Sequence, residues 1–163
     1  MSDIVNIYTD GASSGNPGPG GYGVVLLFKG HRKELSGGFR ITTNNRMELI
    51  AVIEGLKALK RKCKVIIHSD SKYIVESIQK GWIYDWQKKN WKRKRNKPVL
   101  NADLWKELYE LINEHETQFK WVQGHNGNKE NERCDEIAVK VYDQPDLPPD
   151  INYENQTTSF IMN

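Results

Sequence analysis

Two aspartates occupy positions in the sequence where predicted strands end. Asp10 closes the first strand in "YTDG" and Asp70 closes the fourth in "HSDS". Neighbouring parallel strands of an open α/β sheet have their carboxyl ends at one edge, and binding sites form just beyond it. Each aspartate alone is compatible with an ordinary turn. Two of them at strand ends of the same sheet favour a shared site.

Two further acids lie on predicted helices. Glu48 shares a helical face with Val52 and Leu59, which places it at the edge of the stripe that faces the sheet. The alternative is a capping box, in which Glu48 pairs with Asn45 at the helix start. Asp135 lies at the margin of the apolar stripe of the last helix, and its alternative is a solvated acid favoured by the helix dipole.

A cluster of these four carboxylates has a direct chemical consequence. Like charges held close together are unfavourable unless they are protonated or bind cations. Oxygen ligands alone select hard ions, with Mg²⁺ first and Mn²⁺ second. Two such ions, about 4 Å apart, can clamp the attacking and leaving oxygens of a phosphodiester. The four acids therefore predict a divalent-metal site for phosphodiester chemistry.

The glycine-rich segment "GPGGYG", Gly18 to Gly23, matches the dinucleotide-binding pattern G-x-G-x-x-G. That fingerprint must follow a strand and open a helix, whose N-terminus binds the pyrophosphate. Here the segment leads into "VVLLF", which reads as a buried strand. We therefore expect no nucleotide cofactor, and we expect these residues to form a loop shaped as a hairpin connection or bulge.

Hydrophobic periodicity predicts the element order β-β-β-α-β-α-(basic insert)-α-β-α. Three strands joined by short loops form an antiparallel meander, and strands separated by helices pair in parallel. The predicted fold class is α/β, with a five-stranded mixed sheet and helices on both faces. One domain is expected over residues 1–142, with a basic protrusion at about residues 81–101 and an acidic, proline-punctuated tail over residues 143–163.

Charge is distributed unevenly along the chain. All 24 Lys and Arg residues precede Asp143, whereas four of the 21 acids lie from Asp143 onward. A basic body favours a polyanionic partner. The opposite charges of the tail and the insert suggest that the tail folds back onto the insert. The insert's cations are interleaved with tryptophans, as suits nucleic acid. The alternatives are a solvated basic loop and packing of Trp82 or Trp86 on the body.

The N-terminal segment lacks the features of a secretion signal. It has no basic region followed by a continuous apolar stretch. No apolar run approaches the roughly 18 residues that a membrane span needs. We expect a soluble, cytoplasmic monomer.

Four stretches together resemble a known family. In order and spacing, "YTDGASSGNPGPGGYG", "TTNNRMEL", "HSDSKY" and "WVQGHNGNKENERCDE" are similar to type 1 ribonuclease H of the bacterial ribonuclease HI form. The resemblance runs from about Ile4 to about Tyr142. It implies a ribonuclease H fold with its catalytic domain in residues 1–142. It also implies an endonuclease that hydrolyses the RNA strand of RNA–DNA hybrids to 5′-phosphate and 3′-hydroxyl ends.

The resemblance also implies roles for individual residues. Asp10, Glu48, Asp70 and Asp135 would bind the metal, with Asp10 shared between two Mg²⁺ ions and Mn²⁺ able to substitute. His125, in the "GHNGN" loop, would assist proton transfer or product departure.

Three asparagines have the chemistry to distinguish RNA from DNA. Asn16, Asn44 and Asn45 can both donate and accept hydrogen bonds, as contact with a 2′-hydroxyl in the minor groove requires. The resemblance supports all three. Turn and helix-cap roles are the alternatives, above all for Asn45.

The insert resembles the basic protrusion of the bacterial family members, which grips the DNA strand. The expected contacts are Trp82, Trp86, Lys88, Lys89 and Trp91. A phosphate pocket there would also involve Thr43. Asp85 and Gln87 stand where bacterial relatives often carry Asn and Lys, which weakens the expected pocket.

Two other functions compete with a hybrid-specific nuclease. One is a non-catalytic module that binds hybrids on the same fold, and the other is a nuclease or strand-transfer enzyme that acts on DNA. The four carboxylates argue against a pure binder, because crowded negative charge near a phosphate does not help binding alone. The pair Asn44–Asn45 argues against a DNA substrate.

Overall fold

The computed structural model describes residues 3–124 and 126–162, without the side chains of residues 157–162. A five-stranded sheet in the order β3-β2-β1-β4-β5 forms its centre. The strands are β1 (Ile4–Ser13), β2 (Gly18–Phe28), β3 (His31–Thr42), β4 (Lys64–Ser69) and β5 (Glu116–Trp121). The first three pair antiparallel, and β4 pairs in parallel with both β1 and β5. The predicted mixed sheet is therefore confirmed.

Helices cover both faces of the sheet. They are α1 (Asn44–Lys57), α2 (Lys72–Gln79), α3 (Trp82–Lys88), α4 (Ala102–Glu114), α5 (Lys129–Tyr142) and α6 (Ile151–Met162). Helix α1 packs on one face and α5 on the other. None of the helices described here has the length and apolar character that a membrane crossing demands.

Helix α1 is the centre of the hydrophobic core. Its apolar residues Met47, Leu49, Val52 and Leu56 are fully buried, because the helix lies between the sheet and α4. Thr43 precedes the helix in extended conformation, and its Oγ1 accepts a hydrogen bond from the Arg46 N–H at 3.2 Å. The expected Asn45 cap is therefore wrong, because the helix already begins at Asn44 and Thr43 caps it by binding the Arg46 N–H.

The glycine-rich segment belongs to the sheet rather than to a loop. Strand β2 begins at Gly18, and Gly23 pairs with Asp10 of β1. The expected hairpin connection is wrong, because these residues pair with both β1 and β3, whereas the expected bulge is present between Gly18 and Gly20. Helix α5 crosses this part of the sheet closely. A Cβ on Gly23 would lie 2.9 Å from the Ile137 Cβ. Glycine thus serves helix packing here.

Two segments contain helices that the sequence pattern did not indicate. The basic insert forms α3, and the acidic tail forms α6. In the part of the tail whose side chains the structure describes, the ion pairs join it to the body of the protein and not to the insert as expected. Asp150 forms an ion pair with Arg46 of α1 at 2.8 Å, and Glu154 forms one with Arg40 of β3 at 2.8 Å.

Replacing Gly11 by alanine should destabilise the fold. A Cβ at this position of β1 would lie 2.6 Å from the Met47 carbonyl oxygen, so α1 must move away from the sheet. We expect the free energy of unfolding to fall by about 1–3 kcal/mol, as for other overpacked sites. Urea denaturation monitored by circular dichroism measures this change.

Gly30→Asn is the matched control. Gly30 has φ +80° and no atom within 4 Å of an added Cβ, and asparagine tolerates this conformation. Its unfolding free energy should change by less than about 0.5 kcal/mol. A Gly11→Ala protein as stable as the control would contradict close packing of α1 on β1.

Candidate active site

Strands β1 and β4 bring Asp10 and Asp70 to the same edge of the sheet. Their parallel pairing ends at Thr9 and Ser69, so each aspartate directly follows the last paired residue. Asp10 is not at the end of its strand, however, because β1 continues along β2 to Ser13. The antiparallel partner therefore supports the backbone on which Asp10 is held.

Helix α1 adds Glu48 to this edge. Glu48 is 6% exposed, and its Oε1 accepts a hydrogen bond from the Gly11 N–H. The same N–H lies 3.0 Å from the Asp10 Oδ1. The capping-box alternative is thus wrong, because the Glu48 carboxylate points at β1. Oxygens of Asp10, Glu48 and Asp70 lie within 4.8 Å of one another.

Asp135 reaches the cluster from α5, on the opposite face of the sheet. It is half-buried, and its negative charge adds to the rise in the pKa of Asp10 and of Asp70. The segment after β5 also approaches the cluster, since a Cβ on Gly124 would lie 2.9 Å from the Asp70 Oδ2. His125 follows in this segment but lies outside the described residues.

The carboxylates are held in an environment that disfavours their charge. Burial raises the pKa of Asp10 to about 7, and the charges of Asp70 and Asp135 add to the rise while a hydrogen bond with Glu48 opposes it. Burial and the Asp10 charge raise the pKa of Glu48 well above its usual value. Burial also raises the pKa of Asp70. Near neutral pH the cluster therefore retains protons unless a cation replaces them.

The donor set fits a hard divalent cation. The three converging groups are all carboxylates, and the side-chain charges that raise the pKa of Asp10 come from other carboxylates. Oxygen-only sites of this kind suit Mg²⁺ and Mn²⁺ better than metals that prefer imidazole or thiolate. A cation would offset both the burial and the mutual repulsion.

Asn131 belongs to this site and was missed as a functional candidate. It is 3% exposed on α5, one turn before Asp135, and its amide lowers the pKa of Asp70. Among the described residues its Nδ2 completes no hydrogen bond of normal geometry. The spacing of Asn131 and Asp135 by four residues was the available signal, since both lie on one helical face.

The asparagines next to the cluster join two chain segments. The Asn44 Oδ1 accepts a hydrogen bond from the Ser13 N–H at 3.0 Å, and the Asn16 Oδ1 accepts one from the Asn44 N–H at 3.0 Å. Both side chains are exposed, as is Asn45 in the first turn of α1. With each Oδ1 engaged, the amide nitrogens of Asn16 and Asn44 remain as donors.

The tryptophans of the insert differ in exposure. Trp82 is 41% exposed, with the Lys80 Nζ 5.3 Å from its ring centroid. Trp86 is half-buried and lies 5.2 Å from Trp105 between ring centroids. Trp91, an expected substrate contact, is 9% exposed and packs on Tyr109, so it attaches the insert to the body instead. The side chains of Lys88 and Lys89 are exposed.

Comparison with known proteins identifies the family. The model of the family described as RNase H matches residues 2–143. The chain belongs to the ribonuclease H family. It is 58% identical over 147 residues to a ribonuclease H of Desulforamulus reducens, covering 90% of this chain and 92% of that protein. It is 55% identical over 152 residues to one of Rippkaea orientalis, covering 93% of each.

Solved ribonuclease H structures share the architecture. LC9-RNase H1, described as a type 1 RNase H with the type 2 active-site motif, has a TM-score of 0.79 and 32% identity, covering 90% of this chain and 75% of that one. LC11-RNase H1, solved in complex with an RNA/DNA hybrid, has a TM-score of 0.66 and 28% identity, covering 85% and 96%. The protein is thus a nuclease of this family, and the fold named from its motifs is confirmed.

Asp10→Asn should stabilise the metal-free enzyme increasingly as the pH rises from about 4 to about 7, with the full gain above that range. The folded-state pKa of Asp10, about 7, exceeds its ordinary value of 3.8. The native state therefore holds a proton that the unfolded chain releases between these values, and stability falls as pH rises through that window. We expect the variant to gain about 1–3 kcal/mol at pH 8 and almost nothing at pH 4.

Urea denaturation in EDTA at both pH values measures the difference between the variant and the wild type. Glu110→Gln, on the exposed surface of α4, is the matched control and should show no such pH-dependent gain. A gain for Asp10→Asn that is equal at pH 4 and pH 8 would contradict the raised pKa of Asp10.

Proposed function

We propose that this enzyme hydrolyses the RNA strand of RNA–DNA hybrids as an endonuclease, leaving 5′-phosphate and 3′-hydroxyl ends. The observation that carries the proposal is the convergence of the Asp10, Glu48 and Asp70 oxygens within 4.8 Å. It occurs in a chain 51–58% identical to curated ribonucleases H. The proposed catalytic domain spans residues 1–142, with its protrusion at about 81–101 and the tail at 143–163.

Four carboxylates form the proposed metal site. Asp10 would lie between two Mg²⁺ ions, with Glu48, Asp70 and Asp135 as the remaining ligands and Mn²⁺ as a substitute. When bound, the ions supply the positive charge that activates the attacking water and stabilises the leaving oxygen. The Gly11 N–H orients both Asp10 and Glu48, which keeps their oxygens in place before substrate arrives. His125 is proposed to assist proton transfer or product departure.

The proposed hybrid contacts begin beside this cluster. Asn16, Asn44 and Asn45 would read the 2′-hydroxyls in the minor groove, using amide donors that the backbone bonds of Asn16 and Asn44 leave available. The hybrid bound to LC11-RNase H1 supports a hybrid substrate for this chain.

The insert is the second proposed contact surface. Its exposed side chains suit contact with the DNA strand, and they belong to Trp82, Lys88 and Lys89. Trp86 of α3 is half-buried beside them and is also a proposed contact. Thr43 would complete a phosphate pocket on this surface. The negative charge of Asp85 on α3 would lower the affinity of that pocket for phosphate. We also propose a cytoplasmic monomer without a nucleotide cofactor. The placement of "GPGGYG" inside β2 supports the last point, since no helix follows it.

Removal of either strand-edge aspartate tests the catalytic role. With Mg²⁺ and an RNA–DNA hybrid, we expect wild type to cleave only the RNA strand, and to leave duplex DNA intact. Asp10→Asn and Asp70→Asn should each reduce kcat by more than about 100-fold, because each removes a metal ligand. A labelled hybrid resolved on a denaturing gel measures the rate and the end chemistry.

Glu110→Gln is the control and should cleave at the wild-type rate. Unchanged cleavage in both aspartate variants would exclude the proposed site. A wild type that binds the hybrid in Mg²⁺ without cutting it would instead favour the binding-module alternative.

Neutralising the insert should weaken the salt dependence of binding. Each phosphate contact contributes about one unit of slope in a plot of log affinity against log salt concentration. Replacing Lys88 and Lys89 by glutamine should therefore lower the slope by about 1–2 and raise KM at low salt. Initial rates over a salt series provide both values.

The control pair is Lys33→Gln with Lys60→Gln, which changes two exposed lysines beside the β2–β3 turn and the end of α1. These residues lie at the opposite end of the sheet from the carboxylates, so their slope should stay near that of wild type. An equal loss of slope in both pairs would show that the insert has no special role.

A further inference from the structure

The tail reaches the beginning of α1 through a single buried acid. The Arg40 N–H donates to the Pro148 carbonyl oxygen at 2.8 Å, which fixes the tail beside β3. Asp150 comes two residues later, directly before α6, and is 5% exposed. Buried acids are rare unless they are paired, so the partners of Asp150 indicate what it does.

The Asp150 carboxylate binds both ends of a short segment. Its Oδ2 accepts hydrogen bonds from the Thr42 Oγ1 at 2.7 Å and from the Arg46 Nε at 2.8 Å, and its Oδ1 accepts from the Arg46 Nη2 at 3.1 Å. Thr42 and Arg46 bracket residues 43–45. These three are the proposed contacts Thr43, Asn44 and Asn45, which form the cap and the first turn of α1, so one carboxylate fixes both sides of that turn.

A second acid binds the same arginine without touching the turn. Asp103 of α4 accepts from the Arg46 Nη1 at 2.9 Å and from the Nη2 at 2.8 Å. Arg46 is 1% exposed between the two acids. Buried ion pairs add little net stability compared with apolar packing, although removing one partner is strongly destabilising. The positions that the two acids impose on their partners are therefore more informative than their effect on stability. Of the two acids, Asp150 is the one that also binds Thr42.

We propose that Asp150 is a positioning residue for hybrid binding, through which the C-terminal tail holds the turn of residues 43–45 in its binding conformation. The proposal rests on the proposed function of this turn. The position of Glu48 has a separate support in the Gly11 N–H, so loss of Asp150 affects binding more than chemistry. The tail is then part of the substrate site although it makes no contact with substrate.

Three substitutions in the full-length enzyme separate positioning from stability. Asp150→Asn removes the charge and Thr42→Val removes only the hydroxyl bond, leaving the ion pairs intact. Asp103→Asn weakens the hold on Arg46 but leaves Thr42 bonded to Asp150. For each we measure kcat, KM for the hybrid and the thermal midpoint, with rates taken well below the lowest midpoint.

We expect KM to rise about 3- to 10-fold in Asp150→Asn and Thr42→Val with kcat within about twofold of wild type, because displaced contact groups lose affinity. Asp103→Asn should lose thermal stability with little change in KM. Adding Asn44→Ala to Thr42→Val should raise KM by less than the product of the single effects, since both act on one turn.

An unchanged KM in Thr42→Val would overturn the proposal while leaving the nuclease intact, and that result holds even if Asp150→Asn does not fold. A KM in Asp103→Asn that rises as much as in Asp150→Asn would also overturn it, because the effect would then follow stability. A wild type that neither binds nor cleaves hybrid would remove the proposed function itself, and this inference with it.

Discussion

Burial of the Asp10, Glu48 and Asp70 carboxylates, together with the repulsion between their charges, is the constraint that the surrounding structure must overcome. Each carboxylate comes from a different element, β1, α1 or the end of β4, and their oxygens lie within 4.8 Å of one another. Burial raises the pKa of Asp10 to about 7, so the metal-free fold stores an unfavourable interaction. A divalent cation bound to these oxygens would offset the cost of holding the charged carboxylates together, at the position where it could also act on a phosphate group.

Close approach of backbone to backbone is how the fold holds these charges together. At Gly11 the start of α1 lies against β1, so one N–H reaches both Asp10 and Glu48. At Gly23 the helix α5 crosses β2, which brings Asp135 to the other face of the same edge. Gly11 and Gly23 thus allow α1 and α5 to pack closely on the sheet, which places the carboxylates of these helices near Asp10.

Local patterns in the sequence predicted most of the fold and part of the site. The ends of the parallel pairing placed Asp10 and Asp70 together, because that geometry follows from strand order alone. Glu48 was ambiguous, since its spacing from Asn45 fits a capping box as well as a site. The partnership of Arg46 with Asp150 could not be predicted, because 104 residues separate them and no local pattern encodes it. Burial of Trp91 likewise depends on Tyr109 of a later helix.

We infer that the carboxylate cluster binds divalent cations directly. Crystals of the wild-type protein soaked in Mn²⁺ test it, since anomalous scattering locates this metal independently of any activity. We expect a peak within about 2–2.5 Å of oxygens from Asp10, Glu48 and Asp70. The absence of a peak there, at a Mn²⁺ concentration that supports cleavage, would contradict it.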